Sequence, residues 1–384
     1  VAPEQGKIPL ARPLLGEEEE QALLAVVRSG RLSLGPRLAQ FEAAFAAVTG
    51  ARFASAVSSG TAALHLALRA VGVEAGAEVI TTPFSFVASA NVILYERAVP
   101  VFVDIDPVTL NIDPDAVAAA VGGRTAAVLP VHIFGYPAPL PALERIAARH
   151  GLAIVEDACE ALGGVDEEGV PIGGRGNLAC FGFYPNKQIT TGEGGMVVCN
   201  EAALKERIDS ERNQGREGGM GWLEHRRLGF NYRLPELACA LGLAQLRRLP
   251  ELLAARERAA ERYRQAFGAL AADLLGEEGI VLPCENVGKA RRSWFIYPIR
   301  LPRGVDRGQV IERLAAAGIE TKAYLPAIHL LPFYRERFGY VPGQFPVCEE
   351  AARRSLALPF FPGIEEGEVE RVVSTLAAVL REGR

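Results

Sequence analysis

Several residue types that usually announce a function are scarce in this 384-residue chain. Its six cysteines, Cys159, Cys180, Cys199, Cys239, Cys284 and Cys348, form no C-x-x-C pair. They read as small core residues of a reducing compartment, not as a disulfide or cluster framework. Histidine occurs five times and never as H-x-x-x-H, which argues against a zinc site, so no metal is expected. No apolar run reaches the roughly 18 residues of a membrane span, and VAPEQGKIPLARPLLGEEEE lacks the apolar core of a secretory signal. No basic run offsets the formal net charge of -5, so a nucleic-acid surface is not expected. Neither G-x-x-x-x-G-K-[ST] nor a G-x-G-x-x-G after the first strands is present, which disfavours a nucleotide P-loop and a nicotinamide site. The expected setting is the cytoplasm, without membrane or nucleic acid.

Lysine is the most informative scarcity. Only Lys7, Lys187, Lys205, Lys289 and Lys322 stand among 41 basic residues. Lys187 lies in LACFGFYPNKQITTGEGGMVV, between a strand-like run, Leu178 to Tyr184, and a second apolar run, Met196 to Cys199. Apolar surroundings favour the uncharged, nucleophilic form of an amine, as a Schiff base requires. The same pattern also suits a lysine snorkelling from a strand end.

What is abundant is alternation. The composition, 49% hydrophobic and 23% charged, is that of a soluble globular protein with room for a large core. A helix is predicted over Glu17 to Ser29, with an acidic first turn and Gly30 as its stop, and another over Arg37 to Val48. Ala51 to Val57 reads as a strand, and Ser58-Ser59-Gly60-Thr61 opens the helix TAALHLALRAV. Free N–H groups and the positive dipole end at such a start can hold phosphate, although Ser and Thr are also ordinary N-caps. Strands and helices then alternate through GLAIVED, predicting a largely parallel sheet with helices on both faces and chemistry at the strands' carboxyl ends. Asp104, Asp106, His132, Glu156 and Asp157 fall at such ends. A buried Asp157 needs a cationic partner, which a pyridinium nitrogen would supply; it could equally cap the segment after it. A helical stretch, Leu234 to Leu270, interrupted by Pro250, connects to a second, smaller α/β unit. The expected division is residues 1–246 and 247–384.

These segments together resemble the DegT/DnrJ/EryC1/StrS sugar aminotransferases, which are fold-type-I pyridoxal-phosphate enzymes. The likeness runs through SSGTAALHLAL, PFSFVASAN, VEDACEALGG, FYPNKQITTGEGGMV, RNQGR, GFNYRLPELACALGLAQL and AIHLLPFY. It implies an α/β fold, a large domain with a mostly parallel sheet of the seven-stranded type between helices, and a smaller C-terminal domain. It implies that Lys187 forms the Schiff base with pyridoxal 5'-phosphate and then moves protons. Asp157 would pair with the pyridine nitrogen, Phe86 would stack on the ring, and Ser59, Gly60 and Thr61 would hold the phosphate. Asn231 and Arg233 match a region that relatives send across a dimer interface, so a homodimer with shared active sites is expected. Tyr324 and His329 lie in a loop the family places near substrate; Arg212 would meet a diphosphate, and Trp294 would pack on the sugar or nucleotide. A structural role remains open for each of these four.

Two positions depart from the family pattern. Glu160 stands where many relatives have Gln or His near the ring oxygen, and is expected to be protonated, displaced or bonded to a neighbour such as His132. Gly182 stands where many have a phosphate-binding serine. The reaction implied is amino transfer from L-glutamate to a keto group, at C4 in preference to C3, of a nucleotide-linked deoxysugar. The alternatives are a dehydratase of the same family and an idle nucleotide-sugar sensor. Dehydratase relatives replace the lysine with histidine, some adding a cysteine-held cluster, and a sensor would tolerate loss of Lys187 or Asp157.

Overall fold

The computed structural model describes residues 6–217 and 224–383. Seven strands, β1 (Phe53–Val57), β2 (Glu78–Thr81), β3 (Val99–Phe102), β4 (Thr125–Leu129), β5 (Ala153–Asp157), β6 (Leu178–Gly182) and β7 (Gly195–Cys199), form one sheet in the order β1-β7-β6-β5-β4-β2-β3. Pairings among β2 to β6 are parallel, and β7 runs antiparallel to both β1 and β6. This is the mostly parallel seven-stranded sheet expected. Its strands are nearly continuous apolar runs because helices cover both faces.

That order gathers the chemistry. Gly195, at the start of β7, pairs with Val57 at the end of β1 and with Gly182 at the end of β6. Asp157 ends β5 one strand further along. The carboxyl ends of β1, β5 and β6 therefore open on one crevice, as the strand-end rule for open α/β sheets requires.

Helix boundaries follow their caps. Glu17–Ser29 runs as predicted, and it and Leu140–His150 are each stopped by a glycine in the left-handed region, Gly30 at φ 66° and Gly151 at φ 65°. Pro250 does not interrupt a helix. It lies in the first turn of Leu249–Leu270, where the missing N–H has no helical acceptor anyway, just after Glu236–Arg247 ends.

A second core forms around an antiparallel sheet of β8 (Tyr297–Arg300), β9 (Lys322–Ala323) and β10 (Ser355–Leu358), in the order β8-β10-β9. Helices Leu249–Leu270, Arg307–Ala316 and Glu366–Glu382 contribute to this core, in which Tyr263 and Tyr297 stack with centroids 4.5 Å apart. Ile8 belongs to it too: it bridges to Ile319 and is buried among these residues, although it lies within the range 1–246. The start of the described chain thus straps the second core to the first.

Candidate active site

The first wall is the turn between β1 and helix Gly60–Ala70. Ser59 is the N-cap, its Oγ accepting from Ala62 N–H at 3.1 Å. The Gly60 and Thr61 amides precede any helical carbonyl they could reach, so they remain donors at the positive end of the helix. Gly60 has no room for a side chain: a Cβ there would lie 2.8 Å from Cys159 Sγ and 3.3 Å from Gly182 Cα. The cup is thus backbone brought close to backbone. Gly182, in the position of the missing serine, forms part of its floor. The Ser59 hydroxyl accepts as a cap and keeps its own proton free, so Ser59 and Thr61 both offer a side-chain donor here.

Asp157 forms the second wall. Its Oδ2 accepts from Ser89 Oγ at 2.7 Å, Ser89 meets Ser85 Oγ at 2.8 Å, and Oδ1 accepts from Cys159 N–H at 3.2 Å. No helix follows Asp157, so the helix-cap alternative does not hold. The two serines were not read as site residues. Their signal is the four-residue spacing in PFSFVASAN, which puts both hydroxyls on one side of a helix start.

Lys187 forms the third wall, on the irregular loop between β6 and β7. Its Nζ lies 3.6 Å from Glu160 Oε1 and 3.9 Å from the centroid of the Phe295 ring. Glu160 is buried, and Phe134 N–H donates to its Oε2 at 2.8 Å. Burial pushes the Glu160 carboxyl above its ordinary range, while Lys187 and the Phe134 amide pull the other way. His132 does not bond Glu160. Its Nδ1 accepts from Ala138 N–H at 2.9 Å, which leaves Nε2 as the donor to Glu156 Oε2 at 3.2 Å.

These walls enclose a cavity of about 490 Å³. Ser59, Gly60, Thr61, Phe86, Asp157, Glu160, Lys187 and Tyr324 all line it. Phe86 is 63% exposed at its mouth, beside Tyr184 at 54%. The Tyr324 phenol is pushed up to about 12, first by burial and then by the charge of Glu160. The donor set fits pyridoxal phosphate: a tight cup of amides for a dianion, a fixed carboxylate for a protonated ring nitrogen, and an amine for an aldehyde. Each group sits on a different strand end of the same crevice.

Four expected residues lie elsewhere. Arg212 points into a buried ion-pair network, bonded to Glu42, to the Ala56 carbonyl at 2.6 Å and to Asp209 at 2.7 Å, so its guanidinium is already satisfied within the fold. His329 is fully buried against Phe345, with Nε2 3.2 Å from Glu349. Trp294 belongs to the second core, and its Nε1 donates to Glu257 at 3.0 Å. Asn231 is exposed and lies outside this cavity, on a strip whose Tyr232 carbonyl accepts from Ser58 N–H at 2.8 Å beside the phosphate cup.

The DegT/DnrJ/EryC1/StrS aminotransferase family model matches residues 13–377. The spore coat polysaccharide biosynthesis protein SpsC of Bacillus subtilis is 36% identical over 387 residues, covering 97% of each chain. GDP-perosamine synthase of Caulobacter vibrioides is 36% identical, covering 97% of this chain and 98% of its own. Among solved structures, DesV from S. venezuelae, captured with a ketimine intermediate, superimposes with a TM-score of 0.88 at 33% identity, covering 97% of this chain and 98% of that one. With the family model matched over nearly the whole chain and relatives alike over their full length, the chain belongs to the DegT/DnrJ/EryC1/StrS aminotransferase family and is a pyridoxal-phosphate-dependent aminotransferase.

Proposed function

We propose that this enzyme transfers the amino group of L-glutamate to the C4 keto group of a nucleotide-linked deoxysugar. The observation that carries the reading is the convergence of Lys187, Asp157 and the Gly60–Thr61 helix start on one cavity. Its likeness to GDP-perosamine synthase supports a nucleotide-linked sugar as acceptor. The EDACEAL and FYPNKQITTGEGG motifs, similar to perosamine-type 4-aminotransferases, support C4 over C3.

Bound pyridoxal phosphate supplies an aldehyde that condenses with amines and a ring that delocalises the electron pair left by a departing Cα proton. Gly60 and Thr61 hold the phosphate, Asp157 the ring nitrogen, and Phe86 covers a ring face. Ser89 fixes one Asp157 oxygen, so the carboxylate keeps one orientation while charge moves through the site. Lys187 Nζ accepts the Cα proton of glutamate in the first half-reaction and delivers a proton to the sugar carbon in the second. Glu160, whose carboxyl burial pushes up, would lie near the cofactor's ring oxygen, as the family resemblance implies. Phe86, Tyr184 and Asn231, exposed in one chain, meet a second copy, so that a homodimer completes both sites.

Spectroscopy on the purified protein tests this. On adding L-glutamate, the visible band of bound cofactor should fall and a near-ultraviolet band rise; Lys187→Ala should abolish this exchange. Candidate nucleotide-linked keto sugars should then restore the visible band, and NMR of the product locates the new amine. A band indifferent to glutamate removes the donor assignment. Amination at C3 removes the ring position while leaving transamination intact.

A further inference from the structure

Arg256, on helix Leu249–Leu270, is 3% exposed and faces no carboxylate among its described hydrogen bonds. Its Nη2 donates to the Lys187 carbonyl at 2.6 Å and the Asn186 carbonyl at 3.2 Å. Its Nη1 donates to the carbonyls of Phe295 at 3.1 Å and Trp294 at 3.4 Å, and its Nε has no partner. The guanidinium lies 5.9 Å from the Phe360 ring centroid. A buried cation neutralised only by carbonyl dipoles costs free energy that a methionine of similar length would not. Burial accordingly draws this guanidinium down to about 10.

The position of those carbonyls suggests a use for that cost. One fork grips the peptide that carries the Schiff-base lysine, and the other grips the peptide of Phe295, the ring that Lys187 Nζ faces at 3.9 Å. A planar fork with fixed donor angles holds two peptides in one geometry, which a flexible ammonium does less well.

We propose that Arg256 is a positioning residue for Lys187, bracing its peptide against that of Phe295. The inference rests on the assignment of Lys187 as the cofactor-binding lysine. The other titratable groups around Lys187 are Glu160, Asp157, Cys159, Tyr184, Glu193 and Tyr324, and all are common to the variants below.

The test compares wild type, Arg256→Met and Arg256→Lys as holoenzymes. The readouts are cofactor occupancy, from the visible band, and the steady-state kinetics with L-glutamate. Arg256→Met should keep the band, because Lys187 is still present to hold the cofactor. Arg256→Met should lose at least about ten-fold in kcat with KM changed less than about two-fold, and Arg256→Lys should recover part of that loss. If Arg256→Met retains cofactor but has the wild-type kcat, the proposal is overturned. If it does not fold, Arg256→Lys decides alone: a lowered kcat with unchanged KM supports the brace, and wild-type values for both overturn it. Lys187→Ala is the separate control. If that variant still shows the lysine-dependent band, the assignment of Lys187 itself fails, whatever Arg256 does.

Discussion

Two carboxyl groups share the cavity and are held differently. Asp157 receives a serine hydroxyl and an amide, whereas Glu160 receives one amide and faces the Lys187 amine across 3.6 Å. For Glu160 burial dominates and raises its affinity for a proton above the ordinary value of 4.5. Between 4.5 and that raised value the folded state binds more protons than the unfolded one, so wild-type stability falls as pH rises through this window. Glu160→Gln removes the titration while keeping the shape. The melting temperature of the variant relative to wild type should therefore climb as pH rises above the ordinary carboxylate value, and a flat difference would refute the raised affinity. Arg212 offers the opposite lesson. In Arg212→Ala its partners Glu42 and Asp209 would keep Lys205 but lose their charged hydrogen bonds to the guanidinium, at a cost of about 1.5–3 kcal/mol in urea unfolding. KM for the sugar should hold, because the guanidinium faces the fold. Sequence pattern cannot make that distinction: an arginine after a helix looks the same whether it meets a diphosphate or Glu42, 170 residues earlier.

Elements were legible where their stops are local. The glycines at 30 and 151, the acidic turn at Glu17 and the apolar strands are written within a few residues of where they act. Helix Ala202–Arg212 and strand β10 were not read, since AALKERIDSER carries only Leu204 and Ile208 as large apolar positions and SLAL is short. The choice left open for His329 and Trp294 has a related reason. Their partners Glu349 and Glu257 lie 20 and 37 residues away, so nothing nearby shows which way each ring turns. The phosphate cup was legible as a motif, but its tightness was not, because Cys159 and Gly182 reach Gly60 only through the sheet. Gly60→Ala should therefore weaken cofactor binding by roughly ten-fold or more, through about 1–3 kcal/mol of overpacking. Calorimetric titration of cofactor into the stripped protein reads this directly. Since the shortest contact is to a side chain, Cys159→Ala in the same chain should restore most of the affinity. Failure to do so would place the strain at the Gly182 backbone instead.

At the scale of the molecule, the proposed homodimer would complete a site that one chain leaves open at its mouth. Phe86 and Tyr184 stand more than half exposed at the cavity mouth, and Asn231 lies on a strip beside the cup without entering the cavity. Large exposed apolar groups around a polar opening mark a surface that another protein covers. In a two-fold dimer that surface is used twice, each chain completing its partner's site. Subunit mixing separates this arrangement from one in which Asn231 serves its own chain. Lys187→Ala and Asn231→Ala homodimers should each be inactive or severely impaired, the first lacking both lysines and the second both asparagines. Exchanged in equal amounts, they form mixed dimers in which one site has Lys187 from one chain and Asn231 from the other, while the second site has neither. Activity should then recover to about a quarter of the wild-type sites, because half the dimers are mixed and each carries one complete site. If Asn231 acts within its own chain, no mixed dimer has a complete site. The mixture would then show only the average of its two parents.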